Sequence, residues 1–76
     1  MNNSRRGILA SISEAIGELE ARLQEVIDEE QDAYDNLPES IQNGERGQRS
    51  SEAIDALDQA LESLSEARSQ IEEASQ

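Results

Sequence analysis

A repeat of apolar residues at alternating intervals of three and four constrains this chain more than any other feature. In the second half it comprises Ile54, Leu57, Leu61, Leu64 and Ile71, with Arg68 at one position of the frame. In the first half it comprises Leu9, Ile12, Ile16, Leu19, Leu23 and Val26. Such spacing places side chains on one stripe of an α-helix. We therefore predict two amphipathic helices, over about residues 4–35 and 51–74.

The connection between the helices, residues 36–50, is the only irregular stretch. Pro38 is tolerated in the first turn of a helix, so residues 37–42 predict one short helical turn. Asn43 and Gly44 predict a left-handed end to that turn. Two amphipathic helices with a short connection indicate an all-α fold, an antiparallel two-helix hairpin that forms one domain over residues 1–76.

The chain has little material for a core. Ile, Leu and Val make up 15 of its 76 residues, and cysteine is absent, so disulfides cannot staple it. A chain this short buries only about 60% of its unfolded surface when it folds alone. We expect a homodimer or higher oligomer that forms a four-helix bundle or larger coiled-coil assembly. The predicted self-association core is Leu9, Ile12, Ile16, Leu19, Leu23, Val26, Ile54, Leu57, Leu61, Leu64 and Ile71.

A second, seven-residue repeat consists of alanines at positions 53, 60, 67 and 74. Two interpretations stay open. Alanine has high helix propensity, which is reason enough for its presence. A row of small residues also lets a partner helix approach closely, and helix propensity alone would not require a seven-residue period.

The charge indicates a class of partner. Eighteen Asp and Glu against six Arg give a net charge of -12, with no Lys and no His. Direct binding to nucleic acid is not expected, because that affinity comes from basic side chains on phosphates. A protein with a basic surface is the better fit, and the charge could equally serve only to solvate a small oligomer. No apolar run is long enough for a membrane span and no signal peptide is recognisable, so we expect no membrane partner and a cytoplasmic location.

The turn is the candidate recognition site, because loops on rigid scaffolds commonly carry binding groups. An alternative is that its apolar residues only close the end of the hairpin. The possible partner-binding residues are Tyr34, Asn36, Leu37, Pro38, Glu39, Ile41, Arg46 and Arg49.

Catalysis is not expected. Serines are plentiful, but no His or Lys is present to act as a base. Asp28, Asp32 and Asp35 share one helix face, where a hard cation could bind, yet the Ca²⁺-loop pattern is absent. We predict no cofactor and no structural metal. A remaining alternative is a nucleotide-sequestering sponge, if an oligomer places Tyr34 beside Arg46 or Arg49.

One segment has a recognisable pattern. The stretch DEEQDAYDNLPESIQNGERG, at residues 28–47, resembles small acidic helical proteins of bacteriophages and prophages. The resemblance covers about residues 21–67, is most specific at residues 35–40, and excludes the N-terminal MNNSRRG. It implies a phage-encoded accessory protein in the bacterial cytoplasm, but no catalytic residue, because the group has no settled activity.

The leading functional hypothesis is a non-enzymatic protein-binding module, a phage accessory protein that inhibits a host defence or nucleic-acid-handling protein. The inhibitor role rests on analogy with other small acidic phage proteins, which fold alone does not justify. The main alternative is a purely structural oligomerisation element.

Overall fold

The first helix is long because no residue interrupts it. The computed structural model describes residues 1–76, and α1 spans Asn3–Asp35. The Asn2 side chain accepts a hydrogen bond from the backbone N–H of Arg5 at 2.8 Å, which satisfies a donor that the helix start leaves free. The helix ends at Asn36, whose backbone N–H donates to the carbonyl of Asp32.

The connection is shorter than the sequence predicts. The short helical turn is confirmed as α2, Glu39–Gln42, but α3 spans Glu45–Ala74, so the predicted start near residue 51 is wrong. The helix begins early because Glu45 is favourable in a first turn and pairs with Arg49 at 2.6 Å. The predicted left-handed end is also wrong, since Asn43 and Gly44 have φ values of -82° and -91°.

The two long helices pack side by side in opposite directions, which confirms the all-α helical hairpin. The ribbon measures 58 × 15 × 12 Å between Cα positions. No helix combines the length and apolarity that a membrane span requires. Self-association into a bundle stays a prediction.

The frame predicted for α3 is confirmed: Ile54 is buried, and Leu57, Leu61, Leu64, Arg68 and Ile71 are half-buried against α1. Only half of the apolar stripe predicted for α1 meets α3, and its role as a self-association core stays a prediction. Leu9, Ile16 and Leu23 face α3, but they alternate with Ser13, Glu20 and Ile27. The residues Ile12, Leu19 and Val26 stay 42%, 48% and 51% exposed.

The reason for this choice of frame lies on α3. Arg68 and Glu72 carry charge into the contact, and Glu20 and Ser13 are the residues of α1 that meet them. A frame built on Ile12 and Leu19 would bring aliphatic side chains against the arginine. The hairpin therefore keeps its polar partners together and leaves one row of aliphatic residues outside.

The hairpin has a small core. Only Ile27 and Ile54 are apolar and fully buried, and no side chain is less than 2% exposed. The chain exposes 5615 Å², whereas a compact monomer of this mass exposes roughly 4600 Å². The excess of about 1000 Å² follows from the ribbon shape.

Candidate functional site

The contact between α1 and α3 is partly polar. The Ser13 hydroxyl donates to Glu72 Oε1 at 2.9 Å, and the Ser50 hydroxyl donates to Glu30 Oε1 at 2.8 Å. Arg68 lies between Glu20 and Glu72, with N–O distances of 3.7 and 3.4 Å. Neither arginine contact has hydrogen-bond geometry, so these are ion pairs only. These pairs fix the axial register of α1 against α3.

A side chain that the sequence analysis did not single out holds the turn together. The amide of Gln42 on α2 donates to the carbonyl of Tyr34 at 2.9 Å and reaches that of Asp35 at 3.5 Å. These carbonyls lie in the last turn of α1 and have no partner within the helix, although that of Tyr34 also accepts from the backbone N–H of Leu37 at 3.1 Å. The sequence shows only a polar residue four positions after Pro38. Its hydrogen-bond partners depend on how the chain folds back over the end of α1, which the sequence does not reveal.

The turn residues proposed as a site divide into two groups. Tyr34, Leu37, Arg46 and Arg49 line one groove of about 320 Å³ together with Glu30, Ala33, Ser50 and Ala53. Asn36, Pro38, Glu39 and Ile41 do not line it; the first three are exposed and Ile41 is half-buried. A single chain thus brings the only aromatic residue and two arginines to the same groove.

The remaining surface is best described with heptad letters that make the α1–α3 contact residues a and d. Ser13, Glu20 and Ile27 are then a positions of α1, and Ile54, Leu61 and Arg68 are a positions of α3. In an antiparallel pair the g positions of both helices lie on one side of the contact and the e positions on the other. The turn groove agrees, because it contains Ala33, Arg46 and Ala53, all g residues. A second groove contains e residues of both helices, including Gly17 and Asp58.

The charges separate by side. The b, e and f positions, with Glu39 of the turn, form a surface that we name the acidic face. No arginine occupies these positions, although the Arg68 guanidinium, from an a position, reaches their edge beside Gly17 and pairs with Glu72. Its carboxylates, all exposed, are Glu14, Glu18, Glu25, Asp28, Asp32, Asp35, Glu39, Glu45, Glu52, Asp55, Asp58, Glu62, Glu66, Glu72 and Glu73.

The c and g positions form the opposite surface, which we name the acid-poor face. Glu29 is its only acidic residue, against four of the six arginines. Its apolar members are Ile8, Ile12, Ala15, Leu19, Val26, Ala33, Ala53, Ala56, Ala60, Ala67 and Ala74. The alanine repeat therefore lies beside the α1–α3 contact and not inside it, and all but Ala67 are exposed.

The carboxylates do not converge on a cation site. No group of three or more Asp or Glu side chains converges on a point where a cation could be held. Asp28, Asp32 and Asp35 thus share a face of α1 without forming a chelating cluster.

These features define an acidic antiparallel helical hairpin with two chemically distinct faces. No protein family, curated protein or solved structure shows significant similarity to the chain. The resemblance of residues 28–47 to phage proteins consequently stays a prediction.

Proposed function

We propose that this protein is a non-enzymatic binding module whose acidic face docks on a basic surface of another protein. The observation that supports this is the segregation of fifteen exposed carboxylates onto positions that carry no arginine of their own. Solvation alone does not require segregation, because charges scattered over all sides would solvate the chain equally well.

The spacing of the charges indicates the kind of basic surface. Fifteen carboxylates along the 58 Å axis give one charge per about 3.9 Å. Phosphates follow each other at about 3.4 Å of axis along one strand of duplex DNA. A groove that binds a nucleic-acid backbone would therefore meet a comparable row of negative charge. We propose that the partner is a nucleic-acid-handling host protein, and that this chain is a phage-encoded inhibitor acting in the bacterial cytoplasm.

The test is a pull-down from bacterial lysate with the wild type and two variants. One variant combines Glu18→Gln, Glu25→Gln, Glu52→Gln and Glu66→Gln, four exposed residues of the acidic face. The other combines Leu37→Asp and Arg46→Glu in the turn. The glutamine variant should fold at least as well, because it relieves repulsion between like charges.

We expect the wild type and the turn variant to capture the same partner, and the glutamine variant to lose it. Added duplex DNA should displace the partner, and capture should fall steeply with salt. Capture that survives the glutamine substitutions but not the turn substitutions would assign recognition to the turn. Absence of any partner would favour a structural oligomerisation element.

A second candidate function has one observation in its favour. Tyr34, Arg46 and Arg49 line the same groove, a combination that suits a stacked base and its phosphate. Nucleotide sequestration would appear as a rise in melting temperature with cyclic or linear nucleotides. That rise should be absent in the Arg46→Glu variant.

A further inference from the structure

The acid-poor face is the largest feature of the molecule that neither the hairpin nor the proposed acidic docking uses. It extends over both long helices, and its aliphatic side chains Ile12, Leu19 and Val26 are about half exposed. Apolar residues at a, d and g together are the pattern of a helix that faces a bundle core, wider than a two-helix contact needs.

We infer that a second copy of this chain covers the acid-poor face, with α1 of each copy lying on α3 of the other. The result is a four-helix bundle in which both turns lie at the same end. This inference is independent of the proposed partner, because it concerns the opposite face of the hairpin.

Of the two faces, electrostatics favours the acid-poor face for a second copy, because four arginines and one glutamate leave it a charge of only +3, whereas the acidic face carries fifteen carboxylates. Two chains that each carry -12 repel one another. Contact through the acid-poor face keeps the two acidic faces on opposite sides of the assembly, two helix layers apart. Helices pack 8–10 Å apart, and charges are screened over about 8 Å at physiological ionic strength. Contact through the acidic faces would bring the exposed carboxylates directly together.

The available area is also sufficient. A face 58 Å long and 15 Å wide covers roughly 870 Å², and a stable interface buries about 800 Å² on each partner. The hairpin alone has two fully buried apolar residues, so an occupant is needed whenever the chain is folded. A second copy is present at the same concentration as the first, which a host protein need not be.

The two helices contribute side chains of different size to the face. α1 supplies large residues and α3 supplies alanines, and the pairs Leu19 with Ala67 and Val26 with Ala60 lie at about the same height. The ion pair between Glu20 and Arg68 fixes that height. Each row therefore has a complementary row on the same hairpin.

A twofold axis parallel to the ribbon places complementary rows against each other. Leu19 then faces Ala67 of the partner subunit, and Val26 faces Ala60 of the partner subunit, while each helix runs antiparallel to its neighbour. A twofold axis across the ribbon would instead set aliphatic residues against aliphatic residues and alanines against alanines. The helices would then be unevenly spaced and could not pack to native density.

The first experiment compares two alanine-to-glutamate variants by sedimentation equilibrium at micromolar concentration. Ala60→Glu alters the acid-poor face and Ala21→Glu alters an exposed b position on the acidic face, with the same change in charge. The wild type and Ala21→Glu should be dimers. Ala60→Glu should raise the dimer dissociation constant by roughly 100-fold or more, because each dimer would bury two carboxylates without partners.

Leu19→Gln serves as a second variant that adds no charge, and helicity measured by circular dichroism shows whether each variant folds. A monomeric wild type, or equal behaviour of Ala60→Glu and Ala21→Glu, would overturn the inference. Pull-down by the acidic face can succeed or fail in either case, so the two proposals can fail separately.

The second experiment tests which helices meet. The chain has no cysteine, so Leu19→Cys and Ala67→Cys each add a unique thiol. When the two variants are mixed with a short bis-maleimide, cross-linking should join one chain of each kind. Products that join only two Leu19→Cys chains would show that α1 packs on α1, and would overturn the proposed pairing.

Discussion

Single residues decide how closely the turn packs. Gly47, in the first turn of α3, is buried. A Cβ atom at this position would collide with the backbone of Gln42, including its carbonyl oxygen. Backbone atoms cannot rotate away as a side chain can, so glycine is required by a close approach and not by its φ angle. A glycine inside a helix costs about 1 kcal/mol relative to alanine. At position 47 that cost is accepted because only glycine allows α2 and α3 to pack this closely.

We predict that Gly47→Ala destabilises the protein by about 1–3 kcal/mol, since overpacking of this kind forces the backbone to move. The measurement is urea unfolding followed by circular dichroism at fixed protein concentration. Gly7→Ala is the matched control, because a Cβ there meets nothing within 4 Å, and it should stabilise by roughly 0.5–1 kcal/mol. If both substitutions stabilised the chain, the close approach of α2 to α3 would be refuted.

At the scale of the helices, the sequence predicts that two helices form and pair. It predicts less well which side of α1 faces α3. The apolar repeat correctly predicts two long helices, and the frame of α3 is unambiguous. On α1, Leu9, Ile16 and Leu23 belong to two different heptad frames. One frame adds Ile12, Leu19 and Val26, and the other adds Ser13, Glu20 and Ile27.

Hydrophobicity alone selects the first of these frames, and the hairpin uses the second. The deciding information is long-range, because Glu20 and Ser13 are suited to this contact only through Arg68 and Glu72. Two features of the sequence nevertheless indicate the frame that the hairpin uses. Arg68 at an a position requires an acidic neighbour, and the c and g positions hold a single acidic residue.

The turn shows the same limit. Tyr34, Leu37, Arg46 and Arg49 could be assigned to one region from the sequence, but their meeting in one groove depends on where α3 begins. The early start at Glu45 places Arg46 and Arg49 on a helix and not in a loop.

We predict that the Glu20–Arg68 pair contributes specificity more than stability. Arg68→Leu alone should lower stability by about 1 kcal/mol, because it leaves the half-buried Glu20 without its cation. Arg68→Leu combined with Glu20→Leu should restore or exceed wild-type stability, as replacement of such pairs by apolar residues often does. Thermal unfolding of the three proteins at one concentration measures this. If the double variant were less stable than Arg68→Leu, Glu20 would stabilise the hairpin even without its cation, and the prediction would be wrong.

At the scale of the whole molecule, shape and charge have opposite effects on self-association. The ribbon has a small core and an apolar face, which favour assembly, whereas the net charge of -12 opposes it. Segregation of the acidic residues allows assembly despite the net charge, because it leaves one face with a single carboxylate and places the others on the opposite face.

Concentrated charge has a measurable consequence for stability. Carboxylates of the acidic face repel one another at i,i+4 spacing, as Glu14 with Glu18 and Asp28 with Asp32, at a cost of a few tenths of a kcal/mol per pair. Only two i,i+4 ion pairs are formed, Glu45 with Arg49 and Arg68 with Glu72. We therefore predict that the melting temperature rises with NaCl, because salt screens the repulsion more than it weakens so few attractive pairs.

The matched control for this prediction is the variant with four glutamines in place of Glu18, Glu25, Glu52 and Glu66. It should start from a higher melting temperature at low salt and respond less to NaCl, so that the two proteins converge as screening becomes complete. Sodium sulfate would also strengthen apolar burial, so the chloride salt is the appropriate titrant. A melting temperature that fell with NaCl in the wild type would mean that attractive pairs outweigh repulsion, and that the acidic face is better compensated than its lack of arginine indicates.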